Sequence, residues 1–438
     1  MTEEFLGYLW EFRLLNTDLL TTSGEPVIIL HPGTRNRDGG PDYVNARIRI
    51  NNTLWAGNVE IHINSDDWFR HNHHLDKTYE NVVLHVVFHH NPSSEYNLKV
   101  SIPTLVVEGQ FAETIFTRYR YFQENPQWIP CRHLIHEIDP IIFNQWSTAL
   151  SVERLVDRSR EWKNLLESNK LDWEETFYQG LAKDFGLKIN VLPFELLAKS
   201  LPLKLVLKYQ RNPFQLEAMA FGQSGMLNRH FTEEYPLLLK AEYEYLAQKH
   251  GLKPIESSQW KFLRLRPSGF PTLRIAQWAV FLQHISTFFN LILKCGNIDE
   301  IMRILKVKAM EYWDQHYLFE KLSPQRPKII GTDTIQMLIL NFAVPFLFFY
   351  GEEKQIDSVK EHSLKILEEL PGENNSVISQ WKALGMPSEN ALQTQALIQL
   401  KKNYCDKKKC LSCRIGARLL GREVILAEGR GIRKSISQ

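Results

Sequence analysis

"GPDYVNARIRINNTLWAGNVEIHINSDDWFRHNHH", residues 40–74, places two strand-like segments directly before a cluster of histidines. In residues 43–50 apolar and polar side chains alternate, as in a strand with one buried face. The apolar set is Val44, Ala46, Ile48 and Ile50, and the polar set is Asn45, Arg47 and Arg49. Residues 53–63 form a second run rich in β-formers. The stretch therefore predicts neighbouring strands that carry many side chains able to bind a metal.

Further β-branched runs flank this stretch and extend the predicted sheet. They are separated by Gly, Asn, Pro and Ser, and lie at residues 26–30, 81–90 and 98–107. The segment 82–88 is apolar on both faces apart from His85, which predicts a central strand.

Beyond about residue 110 the pattern becomes helical, with apolar residues three and four apart. Examples are residues 151–168, 234–250 and 356–370. We therefore predict an α+β protein with three parts: an N-terminal mixed sheet domain with flanking helices (1–130), a large helical domain (131–400) and a cysteine-bearing tail (401–438).

Composition and charge limit the classes of function. Apolar residues make up 44% and charged residues 23% of the 438, as in an ordinary globular protein. The net charge of +2 supplies no global basic field, so any binding of nucleic acid must rely on local patches. The acidic N-terminal segment lacks a signal-peptide pattern, so a cytoplasmic protein is expected.

The longest apolar run, residues 335–350, carries Gln336, Asn341 and Pro345. It is shorter than the roughly 20 residues that span a bilayer. It therefore predicts a buried helix pair, and no membrane association is expected.

Two carboxylates are predicted to meet at the end of the sheet. Strand alternation puts Glu60 and His62 on one face, about 7 Å apart. Asp42 follows a Gly-Gly-Pro turn and stands at the entry of the preceding strand. Converging carboxylates repel each other unless a cation lies between them, and Mg²⁺ or Mn²⁺ prefers such oxygen ligands. An ion held in this way can activate water for attack on a phosphodiester.

These residues resemble the motif of the PD-(D/E)xK nuclease superfamily. Pro41-Asp42 stand where that family has Pro-Asp, and residues 60–62 stand where it has Glu-x-Lys, with seventeen residues between Asp42 and Glu60. The resemblance implies a restriction-endonuclease-like domain that cleaves nucleic acid, with Asp42 and Glu60 as metal ligands.

The resemblance also implies an upstream acid on the opening helix, for which Glu4 and Glu11 are candidates. This sequence departs from the family at position 62, where the lysine is replaced by His62. A neutral imidazole can act as a base or a ligand, but it cannot supply the constant charge of an ammonium group. Asp42, Glu60 and His62 are the predicted catalytic residues.

Histidines are concentrated in the same region. Seven of the fifteen lie between residues 62 and 90: His62, His71, His73, His74, His85, His89 and His90. The tryptophan-then-histidine pattern resembles mismatch-repair endonucleases of the same superfamily, in which histidines after the core strand assist the metal. We expect His71, His73 or His85 to bind the metal directly or to support its ligands, and such a mixture also suits Zn²⁺.

Purely structural roles are the alternative to metal binding for these residues. His85 could be a core histidine whose nitrogens are paired, and Asp42 could support a turn. Glu60 could form a salt bridge with Arg47 or Arg49.

The tail contains a second predicted metal site, with the spacing Cys405-x4-Cys410-x2-Cys413. Two thiolates of a Cys-x2-Cys segment can bind one metal, and a third supplies three of four tetrahedral positions. Cys131 is the predicted fourth ligand, in preference to Cys295, which lies among apolar residues. Four thiolates suit Zn²⁺ or an iron–sulfur cluster, and the alternative is a set of reduced thiols without metal.

Residues 260–281 interleave aromatic side chains with basic ones, including Arg264, Arg266 and Arg274. Such a mixture can stack bases and neutralise phosphates, so these arginines are candidates for binding nucleic acid. The alternative is an amphipathic helix whose arginines extend to solvent around a Pro-Gly turn.

The whole chain is identified as a member of an uncharacterised bacterial family known only as a domain of unknown function. The resemblance rests on "GPDYVNARI", "GNVEIH", "SDDWFRHNHH", "NVVLHVVF", "FGQSGML", "LRPSGFPTLRIAQ" and "ALIQLKKNYCDKKKCLSCRIG".

Three functions are therefore considered. The first is a metal-dependent, nuclease-like phosphodiester hydrolase. The second is a different metalloenzyme, in which His62, His73 and His85 bind Zn²⁺ and act on a small substrate. The third is a non-catalytic scaffold or binding protein whose polar cluster supports the fold.

Overall fold

The structure is a computed structural model that describes residues 1–36, 38–91, 102–294 and 296–421. The chain forms two compact units, one combining residues 1–146 with the tail from residue 400 and the other comprising residues 147–399. Cys295 and the predicted strand residues 98–101 lie outside the described residues.

A mixed sheet forms the centre of the first unit. Within the described residues its seven strands are β1 Leu19–Leu20, β2 Pro26–His31, β3 Thr34–Arg35, β4 Tyr43–Ile50, β5 Thr53–Asn64, β6 Val82–His89 and β7 Thr104–Val106. The strand order is β1-β2-β4-β5-β6-β7, with β3 also paired to β4. Strands β1 to β5 pair antiparallel, whereas β6 pairs parallel to both β5 and β7.

The predicted alternation in β4 is confirmed for most of the strand. Ala46, Ile48 and Ile50 are buried, and the arginines between them are exposed. Val44 is half-buried because a bulge interrupts the register, which passes from Tyr43 opposite Val59 to Ala46 opposite Gly57. Asn45 adopts a left-handed conformation (φ 58°), which places the extra residue of the bulge at this point.

The strand predicted to be central, β6, lies between β5 and β7 and is buried along residues 82–87. Its neighbour β5 requires a glycine at position 57. A Cβ at Gly57 would lie 2.7 Å from the Asn81 carbonyl oxygen and 2.4 Å from Val83 Cγ1, so only glycine permits this close approach.

Helix α1 (Glu3–Glu11) packs on the sheet. Thr2 caps it by accepting a hydrogen bond from the Phe5 amide, and the helix buries an apolar face that includes Phe5 and Trp10. The Tyr43 hydroxyl donates to the Gly7 carbonyl oxygen at 2.8 Å, which ties the start of β4 to the helix.

The remaining chain is mainly helical. After the short helix α2 (Asp67–Arg70), the helices are α3 Glu113–Glu124, α4 Pro140–Ser168, α5 Trp173–Phe185, α6 Val191–Ser200, α7 Leu203–Lys208, α8 Pro213–Gln223, α9 Glu234–His250, α10 Pro271–Phe281, α11 Ile285–Leu293, α12 Ile298–Leu305, α13 Thr332–Leu338, α14 Val344–Glu353, α15 Asp357–Glu369, α16 Ser376–Ala383 and α17 Ala391–Gln399. Strands β8 (His316–Leu318) and β9 (Lys321–Leu322) form a small antiparallel pair. The predicted helices at 151–168, 234–250 and 356–370 are all present, and the predicted α+β class is confirmed.

The apolar run at 335–350 forms one continuous helix, so the predicted helix pair is wrong. A π-helical segment, Ile339–Ala343, joins α13 to α14. Pro345 lacks the N–H that would bond the Asn341 carbonyl oxygen, and Arg158 Nη2 donates to that oxygen instead, at 2.9 Å. This substitute donor lets the helix continue through the proline.

Among the described residues, the helix Thr332–Glu353 is long and apolar enough to cross a membrane. Within the apolar window, 72% of the residues are buried, and core helices of soluble proteins meet the same criterion. The feature is therefore weak evidence for a membrane span.

Candidate metal centre

The metal centre is built on the carboxyl-terminal half of β5. The register of the parallel pair places Glu60 of β5 opposite His85 of β6. Glu60 and His62 lie on one face, as predicted, with His62 Nε2 3.5 Å from Glu60 Oε1. Both side chains are almost fully buried, at 5% and 2% exposure.

Asp42 and Glu60 are held together by crossed hydrogen bonds. The Asp42 amide donates to Glu60 Oε2 at 3.0 Å, and the Ile61 amide donates to Asp42 Oδ2 at 3.0 Å. The predicted meeting of these two carboxylates is therefore present in the structure. Each carboxylate is fixed by the main chain of the other strand, and its orientation does not depend on a flexible side-chain partner.

Two histidines from the next segment turn back onto β5. Helix α2 ends at Arg70, and Asn72 follows in a left-handed conformation (φ 61°) before a single 3₁₀ turn at His73–Leu75. This reversal brings His71 and His73 to His62, so that one ligand atom from each of the three residues lies within 4.8 Å of the others. His74 lies in the same turn but packs on Phe69, with ring centroids 4.9 Å apart.

The ligand atoms have the spacing expected around one ion. His71 Nδ1 lies 3.2 Å from His62 Nε2, which lies 3.5 Å from Glu60 Oε1. His73 Nε2 lies 3.3 Å from the same Glu60 oxygen. Two ligands of a tetrahedral ion with bonds of about 2.1 Å lie about 3.4 Å apart. The three imidazole nitrogens therefore form a candidate ligand set, and the Glu60 oxygen adjoins two of them, those of His62 and His73.

His73 provides independent evidence for a missing partner. Its Nε2 is buried and, within the described part of the chain, has no hydrogen-bond partner, although Glu60 is close. The ring is fixed by Tyr79, which stacks on it with centroids 3.9 Å apart, and by the edge of Trp68. A buried imidazole nitrogen is normally hydrogen bonded or bound to a metal.

His85 occupies a different position from the other histidines. Its Nε2 lies 2.8 Å from Nδ1 of His62, on the side of the His62 ring opposite the metal-facing nitrogen. His85 is fully buried. This arrangement suits a residue that fixes the tautomer and orientation of a ligand histidine, which is the supporting role and not the metal-binding role of the two expected for His85.

Burial lowers the pKa of His62, His73 and His85. Burial, followed by the neighbouring His73 and His71, lowers the pKa of His62 to about 3. Burial is also the main reason that the pKa of His73 is lowered and that of His85 lies well below its ordinary value. A neutral imidazole is the form that binds metal ions, so the site is prepared for a cation at neutral pH.

Burial has the opposite effect on the acids. Burial, followed by the charge of Asp42, raises the pKa of Glu60 from 4.5 to about 8. Burial raises the pKa of Asp42, and the hydrogen bond from the Ile61 amide partly offsets this. A bound cation would favour the ionised form of both carboxylates. Without a cation, desolvation makes that ionised form unfavourable in the folded protein.

Glu3, which was not among the predicted candidates, is the residue of the opening helix whose charge contributes to the raised pKa of Glu60. Partial burial and the charge of Asp42 raise the pKa of Glu3, and the Ile63 amide donates a hydrogen bond to its carboxylate. Of the predicted candidates, Glu4 lies 3.4 Å from the Ser412 hydroxyl and Glu11 lies 3.4 Å from the Tyr43 hydroxyl. The acidic start of the helix was the available signal, but the helix rotation that selects Glu3 depends on tertiary packing.

The alternative salt bridge of Glu60 with Arg47 or Arg49 is absent from the described part of the chain. Arg47 and Arg49 are exposed on β4, and in the described chain neither forms an ion pair with Glu60. The Glu60 carboxylate instead lies 3.5 Å from His62 Nε2 and 3.3 Å from His73 Nε2. Among the later histidines, His89 pairs with Glu108 at 2.9 Å and is separate from the centre.

Comparison with known families gives one result. The family described as "Protein of unknown function (DUF2851)" matches residues 3–376 of the 438. This chain belongs to the DUF2851 family. The match confirms the family membership predicted from the sequence and includes every residue of the candidate metal centre. A search of curated proteins and a search of solved structures gave no match.

The cysteines of this DUF2851 protein also come together. Burial raises the pKa of the Cys405 thiol, and the next contributions come from the charges of Cys413, Cys131 and Cys410, so the four thiols lie in one region of the first unit. Cys131, Cys410 and Cys413 are buried and Cys405 is half-buried, all as free thiols.

A lysine near these thiols favours the thiolate form, but the effect of burial on the pKa is larger. Lys408 lowers the pKa of Cys410, yet burial raises it to about 12. Burial likewise raises the pKa of Cys131 to about 12. Buried thiols with such pKa values become good metal ligands only when a cation replaces their protons.

The three arginines proposed for nucleic acid lie in different environments. Arg264 and Arg266 are exposed, whereas Arg274 is buried in α10, with 8% exposure. Trp260 and Trp278 of the same segment are also buried, which favours packing over a stacking platform for bases.

Proposed function

We propose that this protein is a divalent-metal-dependent hydrolase whose metal centre comprises Glu60, His62, His71 and His73. The observation that carries the proposal is the approach of the His62, His71 and His73 ligand atoms to within 4.8 Å of one another, with the Glu60 oxygen 3.3–3.5 Å from two of them. The buried Nε2 of His73, which has no hydrogen-bond partner in the described part of the chain, adds to it. Three imidazoles and a carboxylate suit Mn²⁺ or Zn²⁺ better than Mg²⁺. Mn²⁺ is also one of the two ions proposed for the Asp42 and Glu60 pair.

An ion at such a centre lowers the pKa of a bound water and polarises a phosphoryl oxygen. The surrounding residues have distinct tasks. His85 fixes the ring of His62, and the Asp42 amide fixes Glu60. Asp42 is half-buried and adjoins Glu60, so we assign it the acceptance of a proton from the attacking water. The exposed His71 marks the side of the centre that is open to solvent and substrate.

The proposed substrate is a phosphodiester of nucleic acid. Support comes from the resemblance to PD-(D/E)xK nucleases, because Asp42 and Glu60 lie side by side where that motif requires two acids. Cytoplasmic location and nucleic acid as partner are parts of the same proposal.

A second candidate is hydrolysis of a small substrate at a zinc centre. The observation that favours it is the set of three histidines, because imidazole ligands are typical of zinc enzymes.

The test combines metal analysis with cleavage assays. Protein purified without a metal-affinity tag is analysed for Mn, Zn and Fe, and then assayed with Mn²⁺, Zn²⁺ or Mg²⁺ on DNA, RNA and bis(p-nitrophenyl) phosphate. Asp42→Ala and Glu60→Ala are expected to lower cleavage by on the order of 100-fold, whereas Glu80→Ala, at an exposed glutamate, serves as control.

The outcomes separate the candidates. Cleavage of the small ester without cleavage of either nucleic acid would favour the second candidate. Cleavage that is unchanged in both acid variants, or protein that binds no divalent ion, would exclude a catalytic role for this centre.

For the thiols, we propose a structural metal or iron–sulfur site formed by Cys131, Cys405, Cys410 and Cys413. The same elemental analysis, with a visible absorption spectrum of anaerobically purified protein, distinguishes zinc from iron–sulfur. Cys131→Ser is expected to reduce the bound metal, and full retention of metal would remove Cys131 from the ligand set.

A further inference from the structure

A cavity of about 320 Å³ lies in the helical unit, beside the N-terminal end of α10. Its volume is within the range of small-molecule sites. The lining is mostly apolar and includes Phe185, Ile189, Phe194, Leu265 and Met337. Of the described residues that line it, Arg274 and Lys188 are basic and none is acidic.

Among the described residues, none supplies a counter-ion to Arg274. Its Nη1 donates to Gln277 Oε1 and its Nη2 donates to Thr334 Oγ1, each at 3.1 Å, so both acceptors are neutral. Its Nε is buried and, among the residues that the structure describes, has no hydrogen-bond partner. The side chain is 8% exposed and lines the cavity.

A buried guanidinium without a carboxylate is unusual, because removal of a charge from water is unfavourable unless an opposite charge compensates it. Burial lowers the pKa of Arg274 to about 10, with no acidic group to offset the effect. A guanidinium stays protonated at neutral pH even so, and its planar group of donors matches the geometry of a carboxylate. The missing partner is thus expected to be an anion supplied from outside the chain.

The position of the cavity at a helix end makes a second positive contribution to its electrostatic potential. Pro271, the first residue of α10, also lines it. The N-terminal end of a helix carries a partial positive charge that favours anions. Lys188, which is exposed, provides a further positive charge at the lining.

We propose that this cavity binds a small organic acid, whose carboxylate pairs with Arg274 and whose apolar body packs against Phe185, Phe194 and Met337. The apolar lining argues against a highly charged ligand, because most of the enclosed surface offers no polar partner. The site is independent of the metal centre and of its proposed chemistry.

The experiment is calorimetric titration of the full-length protein with four probes: phenylacetate, decanoate, phenylacetamide and acetate. Phenylacetamide keeps the shape of phenylacetate without its charge, and acetate keeps the charge without an apolar body. At least one of the two larger acids is expected to bind, about tenfold or more tightly than the amide, because a charge-assisted hydrogen bond is replaced by a neutral one.

Two variants locate the binding. Arg274→Met is expected to abolish it, while Arg264→Met, at an exposed arginine of the preceding loop, is expected to leave it unchanged. Ile189→Trp narrows the cavity without altering the guanidinium and is expected to weaken binding of decanoate. It also keeps the test decisive if Arg274→Met does not fold, as judged by circular dichroism.

Several results would overturn the proposal. They are the absence of binding by both larger acids, equal binding of phenylacetate and phenylacetamide, equal binding of acetate, and binding that persists in folded Arg274→Met protein.

Discussion

Replacement of Glu60 by glutamine is expected to have opposite effects on stability with and without metal. Glu60 is 5% exposed, and its pKa is raised from 4.5 to about 8, first by burial and then by Asp42. The folded state therefore binds the Glu60 proton more tightly than the unfolded state does. The stability from this proton is fully present below pH 4.5 and is lost as the pH rises through about 8.

The structure sets the size of this effect. The interval between pKa values of 4.5 and about 8 corresponds to a loss of about 5 kcal/mol in the free energy of unfolding of the metal-free protein. Glutamine has no proton to lose. Glu60→Gln should thus match the wild type near pH 4.5 and exceed it by up to about 5 kcal/mol at pH 9.

With metal present the order should reverse. A ligand that binds only the folded state stabilises it by about 4.1 kcal/mol when its concentration is a thousandfold above Kd. This gain exceeds the loss of about 3.4 kcal/mol that pKa values of 4.5 and about 8 give for Glu60 at pH 7. The wild type should gain this stabilisation from Mn²⁺, whereas the glutamine variant, with one anionic ligand removed, should gain little.

Urea unfolding, followed by circular dichroism and tryptophan fluorescence, measures both effects. The titrations are made at pH 5, 7 and 9 with chelator and, in parallel, at pH 7 with Mn²⁺. Glu80→Gln, at an exposed glutamate, is the matched control and should follow the wild type throughout. If the free energy of unfolding changes equally with pH for Glu60→Gln and for the wild type in the presence of chelator, burial does not raise the pKa of Glu60 as argued.

Three further changes test the site and the fold. His73→Ala should weaken Mn²⁺ or Zn²⁺ binding at least 10- to 100-fold by titration, whereas His74→Ala should not, and equal effects would contradict the ligand assignment. Gly57→Ala should lower the free energy of unfolding by about 1–3 kcal/mol in urea, because the alanine Cβ would lie 2.7 Å from a backbone carbonyl oxygen. An unchanged midpoint of urea unfolding would count against this packing. Arg158→Met should lower the free energy of unfolding by about 1–3 kcal/mol. The loss should be smaller in a Pro345→Ala background, because the helix then has its own N–H donor for the Asn341 carbonyl oxygen. Additive effects in the double-mutant cycle would disprove the substitute hydrogen bond.

The sheet could be predicted because the pattern that encodes it is local. Alternation of side chains within β4 and β5 fixes which residues share a face, and β2, β4, β5 and β6 match the predicted runs within one residue at each end. The run predicted at 98–107 is a strand only at Thr104–Val106 among its described residues. The bulge at Asn45 was not predicted, since an asparagine in a left-handed conformation leaves no mark on the apolar pattern until the partner strand is known.

The centre could be predicted only in part. Asp42, Glu60 and His62 follow from strand geometry, but the approach of His71 and His73 depends on a left-handed Asn72 and a single 3₁₀ turn. The spacing of the histidines in the sequence does not specify that reversal.

Arg274 shows a different limit of the sequence pattern. Interleaved arginines and aromatic residues indicate a basic surface, yet the helical period of α10 turns this arginine inward, among the buried residues of that helix. Arg264 and Arg266 precede the helix and stay at the surface.

The tail contacts of the first unit bear on how the protein is made. The Tyr8 hydroxyl donates to the Ala417 carbonyl oxygen at 2.7 Å across 409 positions of sequence. Arg118 similarly donates to the Leu419 carbonyl oxygen. On the ribosome, residues 1–146 emerge long before these partners exist, while residues 147–399 are continuous in the sequence. The helical unit can therefore mature during translation, whereas the unit that contains the candidate metal centre stays incomplete until the residues that supply these carbonyl oxygens have been synthesised.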